Sequence, residues 1–193
     1  MTRDVTTPTS VADGVRVPAA PLARKAVAVL GFATLTAVAA RIAVPLPGTQ
    51  VPFTLQVLAV LLSGLALGRS LGAASQLVYL AAGVAGLPVF AAGGGLGYLL
   101  GPTGGYLLAY PLAAALAGFG GDRLRGLWSV AGMLVVATTV IHAGGLAWLA
   151  ILTDARVALE TGVLPFLGGD ALKIGLALLV GTRLRVPVGR FLG

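Results

Sequence analysis

Asp170 and Lys173 stand three residues apart at the head of a segment that carries no other charge, Pro165-Phe-Leu-Gly-Gly-Asp170-Ala-Leu-Lys173-Ile-Gly-Leu-Ala-Leu-Leu-Val180. Positions i and i+3 share one helix face, so a carboxylate and an ammonium at this spacing can pair and aim at one point. Two roles fit them: an ion pair that fixes helix packing, or part of a polar ligand site. Charges within hydrocarbon face a bundle interior or a wet cavity and are functional candidates by default. Thr54 and Gln56 place neutral polar groups at the head of another apolar segment. An amide offers donors and an acceptor, which suits an amide-like or ureido group. The same side chains also make interhelical hydrogen bonds, worth roughly 0.6 kcal/mol each. Phe90, Tyr98 and Tyr106 can supply flat apolar walls with polar tips or interfacial anchors. The single histidine, His142, lies in an apolar helix and reads as a hydrogen-bonded packing residue.

The elements that must hold these residues are membrane helices. The chain of 193 residues is 58% hydrophobic and 10% charged, against about 25% charged in a soluble domain. The net charge of +7 comes from basic residues scattered singly or in pairs, without the clustered basic face of a nucleic-acid binder. With no cysteine, disulfides and thiolate metal sites are excluded, and one histidine makes no metal cluster. Residues 1–22 are polar and broken by Pro8, Pro18 and Pro21, which predicts a disordered tail. They have no apolar core with a cleavage site, so no secretory signal is expected.

From residue 23 on, six apolar segments can be marked: Ala26–Val44, Phe53–Leu67, Leu71–Val84, Thr103–Ala117, Leu127–Leu149 and Leu164–Gly181. Several are shorter than the roughly 20 residues of a perpendicular span. With Gly/Pro-rich links between them, this predicts backbone that dips into the membrane where it is buried or lines a cavity. Six spans put Arg3, Arg16, Arg24, Lys25, Arg69, Arg123, Arg125, Arg183, Arg185 and Arg190 on one side, with Arg41 and Arg156 on the other. The positive-inside rule makes the first side, with both termini, cytoplasmic. The elaborate outer connections then point to capture of something from outside. The glycine-rich stretch Gly86–Tyr106 contains no Gly-Lys-Ser/Thr, so a Walker loop does not fit. Ala33 and Ala37, four apart in the first span, allow close approach of another helix, from a partner or from the same chain.

Val51-Pro-Phe-Thr-Leu-Gln56, Gly86-Leu-Pro-Val-Phe90, Gly101-Pro-Thr-Gly-Gly-Tyr106 and Pro165-Phe-Leu-Gly-Gly-Asp170-Ala-Leu-Lys173 occur in this order. Together they resemble the BioY family, the biotin-binding S components of energy-coupling factor (ECF) vitamin transporters, from about Ala26 to Arg185. The resemblance implies an all-α, six-transmembrane-helix bundle of the S-component type in a bacterial plasma membrane, both termini cytoplasmic. It implies biotin as transported ligand without a cofactor, and partners that are a transmembrane coupling protein and two cytosolic ATPases. The chain itself would be no enzyme. By the resemblance, Asp170 accepts a ureido N–H and Lys173 meets the ureido carbonyl or the carboxylate. Gln56 and Thr54 add polar contacts, and Phe90 and Tyr106 flank the rings. Ala33 and Ala37 match the family's Ala-x-x-x-Ala surface for the coupling protein, and the first and third connections would close as lids. The alternatives are the same fold with another vitamin, or an intramembrane enzyme, for which no second catalytic group is visible. Trp128 and Trp148, near opposite ends of the fifth span, suit interface anchoring better than stacking on a flat vitamin.

Overall fold

The computed structural model describes residues 19–124 and 126–192. Helix α1 (Ala19–Arg41) starts inside the stretch expected to be a tail. Pro21 falls in its first turn, where a missing N–H is no loss. The rest of the predicted tail, residues 1–18, lies outside the described residues. The chain then makes a short antiparallel pair of β1 (Ala43–Val44) and β2 (Phe53–Thr54), with Ala43 opposite Thr54 and Val44 opposite Phe53. The first span therefore ends at Arg41 rather than at Val44.

Helix α2 (Gln56–Val84) is interrupted at Gly68, with φ 77° and ψ 175°, a conformation open to glycine alone. The interruption reverses the chain. Twenty-three residues of straight helix would separate Gln56 and Tyr79 by about 35 Å at 1.5 Å per residue. Instead the Gln56 amide donates to the Tyr79 hydroxyl at 2.7 Å, and the Gln76 amide donates to Ser63 at 3.1 Å. The two arms, residues 56–67 and 69–84, lie side by side. Gln76 also exchanges hydrogen bonds with Thr36 of α1 and donates to Ser75. All four of these side chains are fully buried, so this polar knot ties α1 to both arms where no water competes.

A single turn, α3 (Leu96–Leu99), leads into α4 (Gly104–Arg123), followed by α5 (Leu127–Leu152). Helix α4 is the centre of the bundle, with Ala113, Ala114 and Ala117 wholly enclosed. Small residues permit this. A side chain at Gly64 would strike the Ala114 carbonyl, and one at Gly105 would strike Gly144 of α5. Such close small-residue contacts are how helices associate where lipid removes the hydrophobic drive. Helix α6 (Ala155–Gly162) is capped by Asp154, whose carboxylate accepts from the Arg156 and Val157 N–H groups at 2.9 Å. A 3₁₀ turn (Leu164–Phe166) then enters α7 (Leu167–Leu192). Among the described residues, four helical runs are long and apolar enough to cross a membrane: Leu22–Arg41, Gln56–Val84, Leu127–Leu152 and Ala155–Leu192. Leucines and valines such as Leu30, Val38, Leu112, Val135, Leu172 and Leu179 point outward. Charges such as Asp170 and Lys173 point inward, the reverse of a soluble domain.

Candidate functional site

The site begins at the first turn of α7. Asp170 and Lys173 are each 3% exposed, and Lys173 Nζ donates to Asp170 Oδ1 at 2.8 Å, the contact their spacing predicts. The second carboxylate oxygen is also used, since His142 Nε2 on α5 donates to Asp170 Oδ2 at 2.7 Å. Lys173 Nζ stands 3.8 Å from the centre of the Phe53 ring, a cation–π contact that helps replace its lost water. Phe53 reaches this place because Gly169 leaves room for its ring. His142 Nδ1 is buried with no partner among the described residues. A ligand group that hydrogen-bonds to this nitrogen would complete it.

This cluster lines a cavity with an empty volume of about 520 Å³, its open mouth included. Thr54 and Gln56 line it from β2 and the head of α2. Both are buried, and the Thr54 hydroxyl donates to Gln56 Oε1 at 3.1 Å. Gln56 is thereby oriented at both ends, by Thr54 and by Tyr79. Tyr98, Tyr106, Tyr110 and Phe166 supply aromatic walls, and Val51, Pro52 and Ala91 come from the two long connections. Tyr106 is fixed by its hydroxyl donating to the Gly162 carbonyl at 2.6 Å. Its ring lies against Gly145, where any side chain would collide with it.

Five of the six residues expected around the ligand thus meet at one cavity. Phe90 does not. It is fully buried behind the wall, edge-on to Tyr79 and stacked on Tyr98 with centroids 5.2 Å apart, over the bare backbone of Gly83. Tyr98 takes the wall position and Phe90 backs it. The Ala33–Ala37 face meets a neighbour in the same chain. Ala33 is 7% exposed and Ala37 half-buried, because the Thr36–Gln76 bonds draw that face of α1 onto α2 within the same chain. Trp148 does more than anchor at an interface: its indole N–H donates to the Gly101 carbonyl at 3.0 Å and ties α5 to the third connection. His142 was missed as a site residue. Its 28-residue separation from Asp170 gives no local signal, and only the packing of α5 on α7 joins them.

The fold and site define a helical membrane protein with a buried, charged cavity that suits a small polar ligand. The BioY family model matches residues 7–190. A probable biotin transporter BioY of Pyrococcus horikoshii is 43% identical over 155 residues, covering 80% of this chain and 91% of its own. The biotin transporter BioY of Thermotoga maritima is 38% identical with the same coverages. In structure, the S-component for biotin from an ECF-type ABC transporter superposes with a TM-score of 0.78 at 24% identity, covering 85% of this chain and 92% of that one. This chain belongs to the BioY family.

Proposed function

We propose that this chain is the biotin-capturing S component of an ECF-type transporter, a transport subunit rather than an enzyme. The observation that carries the reading is the buried Asp170–Lys173–His142 cluster in a cavity walled by aromatic rings. Biotin has a ureido ring with two N–H donors and a carbonyl, an apolar thioether ring and a carboxylate tail. Asp170 accepts one ureido N–H and His142 Nδ1 is placed in the same cluster for the other. Lys173 donates to the ureido carbonyl, and Gln56 with Thr54 reads the polar rim of the ring. Tyr98, Tyr106 and Phe166 enclose the thioether ring. The relatives' names, biotin transporter BioY, support the same ligand.

In this reading the two arms of α2 each cross the membrane, so with α1, α4, α5 and α7 there are six crossings. Both termini are cytoplasmic in a bacterial plasma membrane, and the cavity opens outward. The partners are a transmembrane coupling protein and two cytosolic ATPases that hydrolyse the ATP. The test is calorimetric titration of the detergent-purified chain with biotin, with thiamine and riboflavin as controls. One-to-one biotin binding by the chain alone is the expected result. Binding of thiamine or riboflavin instead would keep the fold and reassign the vitamin, and a folded sample that binds none of the three would remove the capture role.

A further inference from the structure

We infer that Arg41 supplies the counter-charge for the ligand's carboxylate and makes the site selective for an anionic tail. This rests on the biotin reading and goes beyond it. A ligand with a ureido ring at one end and a carboxylate at the other needs a polar anchor at each end. The Asp170 cluster is the first, and its ammonium is already compensated. Lys173 has the Asp170 carboxylate at 2.8 Å and the Phe53 ring at 3.8 Å. The third connection contributes no cation, because residues 85–110 include no charged residue and no Asn or Gln. Arg156 is paired with Glu160 at 2.8 Å and is exposed on α6.

Arg41 differs from these. Among the described residues no carboxylate pairs with it. Its guanidinium donates to the Pro88 carbonyl of the third connection, leaving most of its five N–H groups unused. Two independent paths connect it to residues that line the cavity, although Arg41 itself is not one of them. The carbonyl next to its partner, Val89, accepts from the Tyr79 hydroxyl at 3.3 Å, and Tyr79 in turn accepts from cavity-lining Gln56. On the other side, Arg41 precedes by two residues the strand Ala43–Val44, whose partner strand carries cavity-lining Thr54. The guanidinium thus bridges the two connections that supply Val51, Pro52 and Ala91 to the wall. A planar fork of donors on a compliant stem is the group best shaped to grip a carboxylate.

The test titrates wild type, Arg41→Gln and Arg41→Ala with biotin and with biotin methyl ester, whose tail is neutral. Glutamine can keep a bond to Pro88 while losing the charge. Both variants are expected to bind biotin about 10- to 100-fold more weakly, the loss of one charge-assisted contact. Their affinity for the methyl ester should stay within about twofold of wild type, which also proves them folded. Equal losses for both ligands would overturn the inference and reduce Arg41 to a clip on the loop. Unchanged biotin affinity would overturn it by moving the carboxylate elsewhere. Failure of wild type to bind either ligand would instead remove the biotin reading itself.

Discussion

Asp170 has two oxygens and two donors, and each donor comes with its own consequence. Lys173 is bound to it through the helix and His142 through the tertiary packing. Removing one partner of a buried pair leaves the other charge uncompensated, which costs about 3–5 kcal/mol. Asp170→Asn and Lys173→Ala should therefore each lower thermal stability and also weaken biotin. A charge-assisted hydrogen bond is worth about 1.5–3 kcal/mol, or roughly 10- to 150-fold in Kd, read by calorimetry on protein that still elutes as a single species. Unchanged biotin affinity in both variants would sink the site. His142→Phe keeps an aromatic ring and removes both nitrogens, so it should weaken biotin at least about tenfold while Lys173 still holds Asp170. The Asp170–Lys173 pair was legible in the sequence because helix periodicity alone fixes it. His142 and Phe90 were not, since one gains and the other loses its place at the cavity through contacts between distant segments.

At the scale of elements, the most informative break is Gly68. The sequence marks a gap between residues 67 and 71, and the structure fills it with one residue whose backbone only glycine adopts at low cost. A substituted Cβ there would also approach the Asp122 carboxylate at 3.1 Å, beside the Arg69 N–H that this carboxylate accepts. Gly68→Ala should cost on the order of 1–3 kcal/mol, a fall of several degrees in Tm for a chain of this size. Biotin affinity should not change, because the cavity lies at the open end of the hairpin, where Gln56 meets Tyr79. A loss of affinity without a loss of Tm would mean that the hairpin tip and the cavity are coupled. Other elements were less legible. Two-residue strands such as β1 and β2 leave no alternation to read, and α6 depends on a local cap at Asp154 within the outer connection between the fifth and sixth segments. The start of α1 was obscured by Pro21, which a first helical turn tolerates.

For the whole molecule, the two ends of the bundle have opposite characters. At one end Asp122 of α4 accepts from the Arg69 N–H at the hairpin tip and pairs with Arg185 of α7 at 2.8 Å, with Arg123 and Arg183 nearby in sequence. At the other end lie the cavity, the strand pair and the Arg41–Pro88 contact, with few cations. Short basic segments stay on the cytoplasmic side, and the proposed outward-facing cavity rests on this asymmetry. The absence of cysteine makes the orientation directly testable. In intact cells a membrane-impermeant maleimide should label Gln50→Cys, on the exposed connection between β1 and β2. Gly189→Cys, exposed near the end of α7, should react only after the membrane is permeabilised. The opposite labelling would place the cavity mouth in the cytoplasm and make uptake from outside impossible by this route, whatever the affinity for biotin.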